Sequence, residues 1–173
     1  MVKARVLLAD DHVMVVEAFK KLLEPEFEVV GVATDGRKLL QLAQQTRPEV
    51  VLLDLEMPSL NGFDAGRQLK KLLPAIKIVV VTMNEDIDTA EAALREYASG
   101  YLLKSSASRA DLSRAIVTVM TGNRYLSPGI AGMPLCCSLR SKSRSCQRTL
   151  NRPEANQQWS RNEIRDVSFR MLQ

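Results

Sequence analysis

Five short apolar runs alternate with segments of helical spacing in the first 128 residues, and this alternation limits the fold more than any other feature. The runs lie at residues 4–9, 27–33, 50–53, 76–82 and 100–103. Three of them are nearly continuous in apolar residues, as is typical of parallel strands buried on both faces. Between the runs, apolar residues recur at intervals of three and four, as at Val13, Val16 and Phe19. This order predicts an α/β domain with a parallel sheet.

The predicted sheet indicates where function should be sought. Five strands alternating with five helices are typical of the flavodoxin-like, doubly wound (βα)5 class, whose strand order is 2-1-3-4-5. Ligands of such sheets bind beyond the carboxyl ends of the strands, at the point where the strand order reverses. The polar residues that end or follow each strand are therefore the candidates for function.

Polar side chains occupy that position on four of the five predicted strands. Asp10 and Asp11 follow the first strand, Asp54 the third and Lys104 the fifth, while Thr82 ends the fourth. Three neighbouring carboxylates repel one another unless a cation or a proton is present, and an incomplete shell of oxygen ligands suits Mg²⁺. A carboxylate is also a competent nucleophile in phosphoryl transfer, which depends mainly on positioning and charge stabilisation. These residues predict Mg²⁺-dependent transfer of a phosphoryl group to a carboxylate.

In this order and spacing, the same residues resemble the signature of response-regulator receiver domains, the CheY-like family. The matching motifs are the Asp10-Asp11 pair, Asp54 in LLDLEMPSLNG, Thr82 at the end of IVVVT, and Lys104 in GYLLK. The GYLLK motif, followed by Ser105 rather than proline, is similar to the branch usually joined to a LuxR-type helix-turn-helix output domain.

The resemblance implies a chemical role for several of these residues. Asp54 would accept a phosphoryl group from the phosphohistidine of a sensor histidine kinase, assisted by Lys104. Mg²⁺ would be held by Asp10, Asp11, Asp54 and the backbone carbonyl of Glu56. The protein would then be a signalling switch with slow autodephosphorylation rather than an ordinary turnover enzyme, and phosphorylation would favour a homodimer.

The sequence also suggests a role, or the lack of one, for Thr82, Tyr101, Met83 and His12. Thr82 and Tyr101 fall on the switch positions of the family, where the hydroxyl turns toward the phosphoryl group and the ring moves inward. Met83 is bulkier than the residue many receivers carry there, and we expect it to hinder water from reaching the phosphoryl group. His12, the one histidine of the chain, is expected to be a first-turn helix residue without a chemical role.

The composition changes near residue 130. Residues 1–128 carry 16 basic and 17 acidic side chains, whereas residues 129–173 carry 8 basic and 3 acidic ones. We therefore predict a receiver domain at 1–122, a linker at 123–131 and an irregular basic tail at 132–173. The tail lacks the helical periodicity of a complete output domain, and either a disordered segment or an altered reading frame would account for it.

The sequence also bears on competing functions. A DNA-binding transcription regulator whose output lies in the basic tail is the alternative, although no base-reading helix is evident there. A metabolic α/β enzyme is disfavoured, because neither a Gly-rich dinucleotide fingerprint nor a phosphate-binding Gly-Lys-Ser/Thr loop is present. No apolar run approaches the roughly 18 residues of a membrane span, so we expect a soluble, cytoplasmic protein.

Overall fold

The computed structural model describes residues 3–131. The strands are β1 (Arg5–Ala9), β2 (Glu28–Ala33), β3 (Val50–Leu53), β4 (Lys77–Thr82), β5 (Gly100–Leu103) and β6 (Tyr125–Leu126). The helices are α1 (Val13–Leu23), α2 (Gly36–Thr46), α3 (Gly62–Leu72), α4 (Ile87–Glu96), α5 (Arg109–Met120) and α6 (Pro128–Ala131), with a 3₁₀ turn at Lys104–Ser106. The tail predicted at 132–173 lies outside the described residues.

The strands form one parallel sheet in the order β2-β1-β3-β4-β5-β6. The predicted α/β class and the order 2-1-3-4-5 of the first five strands are confirmed. Residues of alternate parity along the central strands enter two apolar clusters, as expected when successive side chains point to opposite faces. In β3, for example, Val51 and Leu53 pack with α2, α3 and α4 residues, whereas Val50 and Leu52 pack with α1 and α5 residues. Burial on both faces fixes where each strand ends.

Four helices begin at a residue whose side chain caps the first turn. Asp35, Asn61, Asp86 and Ser108 each accept a hydrogen bond from the backbone N–H three residues further along, at the start of α2, α3, α4 and α5. Such caps satisfy backbone donors that the helix leaves unpaired, and each contributes about 1 kcal/mol. Because the caps fix the residue at which each helix begins, they also set the lengths of the loops that carry the polar residues.

The structure adds a sixth strand to the five that the sequence predicts. Within the predicted linker at 123–131, the structure has regular elements, β6 and α6, next to β5. Tyr125 is buried on one face of the sheet, and Ile130 is completely buried on the other. A strand of two residues is too short to show periodicity, which explains why the sequence did not indicate it.

None of the helices described, all within residues 3–131, is long and apolar enough to span a membrane.

Candidate functional site

Asp10, Asp54 and Thr82 lie at the carboxyl ends of three neighbouring strands and are buried there. Only 2 % of Asp54 is exposed to solvent, and Asp10 and Thr82 are similarly enclosed. The backbone N–H of Asp54 donates to the Ala9 carbonyl (2.8 Å), and that of Asp10 donates to the Ala33 carbonyl (3.0 Å). These bonds continue the sheet ladder by one residue, so the position of each carboxylate follows from the strand before it.

A glycine keeps the loop after β3 close to Asp54. The N–H of Gly62 donates to the Leu55 carbonyl (3.0 Å), which closes the loop. A Cβ atom at residue 62 would lie 1.9 Å from the Asp54 carbonyl oxygen and 2.6 Å from the Leu55 Cα. Because both of those atoms belong to the backbone, only glycine fits without shifting the loop. The Asn61-Gly62 turn thus holds the loop against the backbone of Asp54.

Lys104 joins two of the carboxylates. Its Nζ atom lies 2.7 Å from Asp54 Oδ2 and 2.7 Å from Asp10 Oδ2. Its side chain is only 9 % exposed, so water screens these ion pairs weakly. An ammonium group has three donors, and the two carboxylates account for two of them. Among residues 3–131 the third donor has no recorded partner, so it is available for another oxygen.

The electrostatics of the site have two opposing causes. Burial raises the pKa of Asp54, and the nearby Asp10 carboxylate adds to this, while hydrogen bonding and attraction from Lys104 act in the opposite direction. For Lys104, burial lowers the pKa, but its hydrogen bonds to Asp10 and Asp54 prevail and raise it above the usual value. Lys104 is therefore a charged amine beside two carboxylates, Asp10 and Asp54, whose burial disfavours their ionised form.

The carboxylates form a cluster that fits a hard divalent cation. Asp10, Asp11, His12 and Asp54 each offer one ligand atom, and these atoms lie within 4.8 Å of one another. Among residues 3–131, the buried Oδ1 atom of Asp11 accepts no hydrogen bond. The Nδ1 of His12 lies 2.9 Å from it, within ion-pair distance. A carboxylate oxygen that accepts no hydrogen bond, beside two other carboxylates, is a ligand that an oxygen-preferring cation would bind.

Two backbone groups of Asn84 connect the predicted switch residues. The N–H of Asn84 donates to Thr82 Oγ1 (3.2 Å), and the carbonyl of Asn84 accepts from the hydroxyl of Tyr101 (2.9 Å). Because Thr82 Oγ1 accepts this bond, its own hydroxyl hydrogen remains free to donate. Tyr101 is completely buried, and burial raises its pKa, so the phenol remains protonated and can act as a donor.

The structure thus brings Asp10, Asp11, Asp54 and Lys104 together, as the sequence predicts. Thr82 lies at the end of the adjacent strand, and Tyr101 is linked to it through Asn84. The chemical roles of these residues stay predictions.

The remaining predicted positions lie at the rim. The N–H of Glu56 donates to Asp54 Oδ1 (3.3 Å), so the Glu56 backbone lies beside the carboxylate. Met83 follows Thr82 and is 59 % exposed. Their predicted roles, in binding the metal and in hindering water, also stay predictions.

Sequence reasoning missed two contributors. His12 is the residue before α1 rather than part of its first turn, and its ring Nδ1 contacts the carboxylates of Asp10 (3.3 Å) and Asp11 (2.9 Å). Its position after the acidic pair was a usable signal. Asn84 acts through backbone atoms, which any residue possesses, so no residue-type signal could have identified it.

Comparisons with known proteins agree with this geometry. The sequence profile described as "Response regulator receiver domain" matches residues 6–117. The chain is 36 % identical over 130 residues to the transcriptional regulatory protein DegU of Brevibacillus brevis, a match covering 74 % of this chain and 55 % of that protein. It is 39 % identical over 129 residues to the response regulator GacA of Pseudomonas viridiflava, covering 73 % and 60 %. The matches thus span little more than half the length of these relatives.

A solved structure shares the fold. The two-component response regulator of the LuxR family from Aurantimonas sp. SI85-9A1 superimposes with a TM-score of 0.71 at 36 % identity, covering 75 % of this chain and 94 % of that one. The resemblance inferred from the Asp10-Asp11, Asp54, Thr82 and Lys104 motifs is therefore confirmed. The chain belongs to the response regulator receiver domain family of two-component signal transduction.

Proposed function

We propose that this protein accepts a phosphoryl group on Asp54 from a sensor histidine kinase and thereby changes a surface that partners recognise. The observation that carries the proposal is the buried Asp54 carboxylate, which lies beside the Lys104 ammonium and the Asp10 and Asp11 carboxylates. A carboxylate that served only the fold would not need a second buried carboxylate and a half-buried third one beside it, since their repulsion costs stability.

The proposed transfer uses the groups in the site as follows. A carboxylate oxygen of Asp54 attacks the phosphorus of a phosphohistidine and forms a P–O bond. The P–N bond breaks, and its electron pair stays on the imidazole nitrogen of the donor. Lys104 directs its available donor toward an oxygen of the transferred group, and the free hydroxyl hydrogen of Thr82 supplies a second donor. This division of labour matches the dependence of phosphoryl transfer on charge stabilisation.

We propose Mg²⁺ as the cofactor of this transfer. Asp10, Asp11 and Asp54, together with the backbone carbonyl of Glu56, would hold the ion. Support comes from the clustered carboxylates and from the Oδ1 atom of Asp11, which accepts no hydrogen bond from the described residues. When bound, the ion neutralises the cluster and leaves coordination positions for phosphoryl oxygens, as is usual for Mg²⁺.

The switch would follow from the bonds around Asn84. If the Thr82 hydroxyl donates to a phosphoryl group on Asp54, the β4–α4 loop and the inward position of Tyr101 are fixed together. We propose that this inward state is the signalling state and that it favours a homodimer. The domain division proposed is a receiver at 1–122 followed by a connecting segment and a basic tail, acting in the cytoplasm as a switch rather than as a turnover enzyme.

Transcription control is the second candidate, and it is favoured by the relatives. DegU of Brevibacillus brevis is described as a transcriptional regulatory protein. This second proposal places DNA binding in the basic segment at 132–173. Binding that depends on DNA sequence and persists at physiological salt would support it, because non-specific attraction to phosphates falls steeply with salt.

The test of phosphotransfer is intact mass measurement after incubation with acetyl phosphate and Mg²⁺. We expect one phosphoryl adduct on the wild type, none on Asp54→Asn and none when the cation is chelated. Asp64→Asn is the matched control, because the Asp64 side chain is half exposed, in the first turn of α3. An unmodified wild type, or an adduct that persists in Asp54→Asn, would contradict the proposal.

A further inference from the structure

Residues 125–130, here called the strap, cover the outer edge of β5. In the register of the sheet, Tyr125 pairs with Gly100 and Leu126 pairs with Tyr101. Beyond the strand pair, the N–H of Ser127 donates to the carbonyl of Tyr101 (2.8 Å). Without the strap, β5 would be the edge strand, with unpaired backbone groups next to Tyr101.

The side chains of the strap pack on the face of the sheet that holds Tyr101. Paired residues of parallel strands point to the same face, so Leu126 is the neighbour of Tyr101 there. Ile130 is completely buried, and it belongs to the same apolar cluster as Tyr101 and Leu103. The ring of Tyr101 is therefore enclosed on its outer side by the strap and held on its inner side by the hydrogen bond to Asn84.

A second contact ties the strap to the segment that follows Lys104. Ser127 is completely buried, and its Oγ lies 3.1 Å from the Oγ of Ser106. Ser106 in turn donates to the Leu103 carbonyl (3.3 Å). The strap thus contacts β5 beside Tyr101 and the 3₁₀ turn that begins at Lys104, which bonds to Asp54.

We propose that the docked strap holds Tyr101 in its inward position, so that strap docking and the occupation of Asp54 by a phosphoryl group favour each other. The inference rests on the function proposed for Asp54 and adds a route by which the site acts on the chain after residue 131. Coupling between two sites is reciprocal: the factor by which one ligand improves the other event is the same in both directions. Phosphorylation therefore tightens the strap, and loosening the strap weakens the phosphorylated state.

The experiment uses the full chain with Mg²⁺ and beryllofluoride, a phosphoryl mimic that binds the acceptor carboxylate. Hydrogen exchange is followed at the amides of Tyr125 and Ser127, which donate to the carbonyls of Ser99 and Tyr101 outside the strap and therefore report its docking. We expect saturating beryllofluoride to slow their exchange by about fivefold or more, the lower end of ordinary coupling. This arm needs no substitution.

The reciprocal arm measures the affinity of beryllofluoride for strap variants. Ile130→Ala is expected to weaken binding by up to the factor found in the exchange arm, and the milder Ser127→Ala to weaken it less. Val117→Ala, on the exposed side of α5, is the control and should bind like the wild type. Circular dichroism checks that each variant is folded.

The outcomes separate the two claims. If beryllofluoride binds but leaves the exchange of the strap unchanged, or if folded Ile130→Ala and Ser127→Ala both bind with wild-type affinity, the coupling is refuted and the proposed function stands. If beryllofluoride does not bind to the wild type at all, the function proposed for Asp54 fails, and the coupling fails with it.

Discussion

Replacing Lys104 by methionine should reveal how strongly the buried carboxylates depend on one amine. Methionine retains most of the length of the side chain but removes the charge that lies 2.7 Å from both Asp10 Oδ2 and Asp54 Oδ2. Since both carboxylates are buried, water cannot replace the lost partner. Breaking a buried ion pair by removing one partner costs about 3–5 kcal/mol.

Urea denaturation at pH 7 without divalent cations measures this cost. At a slope of about 2 kcal/mol/M, the midpoint of Lys104→Met should fall by about 1.5–2.5 M relative to the wild type. The control is Lys38→Met at an exposed position of α2, where the loss of charge should change stability by less than about 0.5 kcal/mol.

A second substitution tests the cause of the loss. In Lys104→Met/Asp54→Asn, the repulsion between Asp10 and Asp54 is gone, so most of the lost stability should return. The reasoning is refuted if Lys104→Met costs no more than Lys38→Met, or if Asp54→Asn changes the urea midpoint by the same amount in the Lys104→Met background as in the wild type. Either result would mean that the charges do not interact across the site.

Three further predictions concern pH, packing and the lifetime of the phosphoryl group. Burial raises the pKa of Asp54 above 3.8 in the folded state, so the protonated carboxyl favours folding at low pH, and this stabilisation is lost as the pH rises through the raised pKa. Asp54→Asn should therefore have a higher urea midpoint than the wild type at pH 7 but not at pH 3.5. Equal gains at both pH values would exclude the ionisation of Asp54 as the cause. Among the described residues, the buried hydroxyl of Tyr97 has no hydrogen-bond partner, and its ring packs edge-on against Phe63, with the ring centroids 5.3 Å apart. Tyr97→Phe should leave the free energy of unfolding unchanged or raise it by up to about 1 kcal/mol in the same assay. A clear loss of stability would mean that the hydroxyl has a hydrogen-bond partner. Met83→Ala should shorten the lifetime of the aspartyl phosphate several-fold relative to the exposed control Met14→Ala, as followed by the decay of the mass adduct; an unchanged rate would remove Met83 from the account.

The positions of the reactive side chains could be predicted because apolar strands determine them. In β3 and β4, every residue before Asp54 and Thr82, apart from Lys77 at the first position, is buried. A strand buried on both faces can end only where the polar residues begin, so the sequence indicates the edge of the sheet directly. The same reasoning places Lys104 after β5, although the sequence alone does not show that its amine reaches two carboxylates rather than one.

Other features lay beyond the sequence for physical reasons. The bonds from Asn84 to Thr82 and Tyr101 use backbone atoms, and their existence depends on the course of the β4–α4 loop. β6 has only two residues, and its pairing depends on the open edge of β5 and on the burial of Ile130 five residues after Tyr125. Interactions of this kind follow from tertiary packing, which local patterns do not encode.

The central claim is that Asp54 itself carries the phosphoryl group, and reductive trapping tests it most directly. Borohydride converts an aspartyl phosphate to homoserine, which tandem mass spectrometry then locates in the chain. After incubation with acetyl phosphate and Mg²⁺, the account predicts homoserine at position 54 and unmodified aspartate at positions 10 and 11. Homoserine at position 10 or 11, or at none of the three while the mass adduct is present, would contradict it.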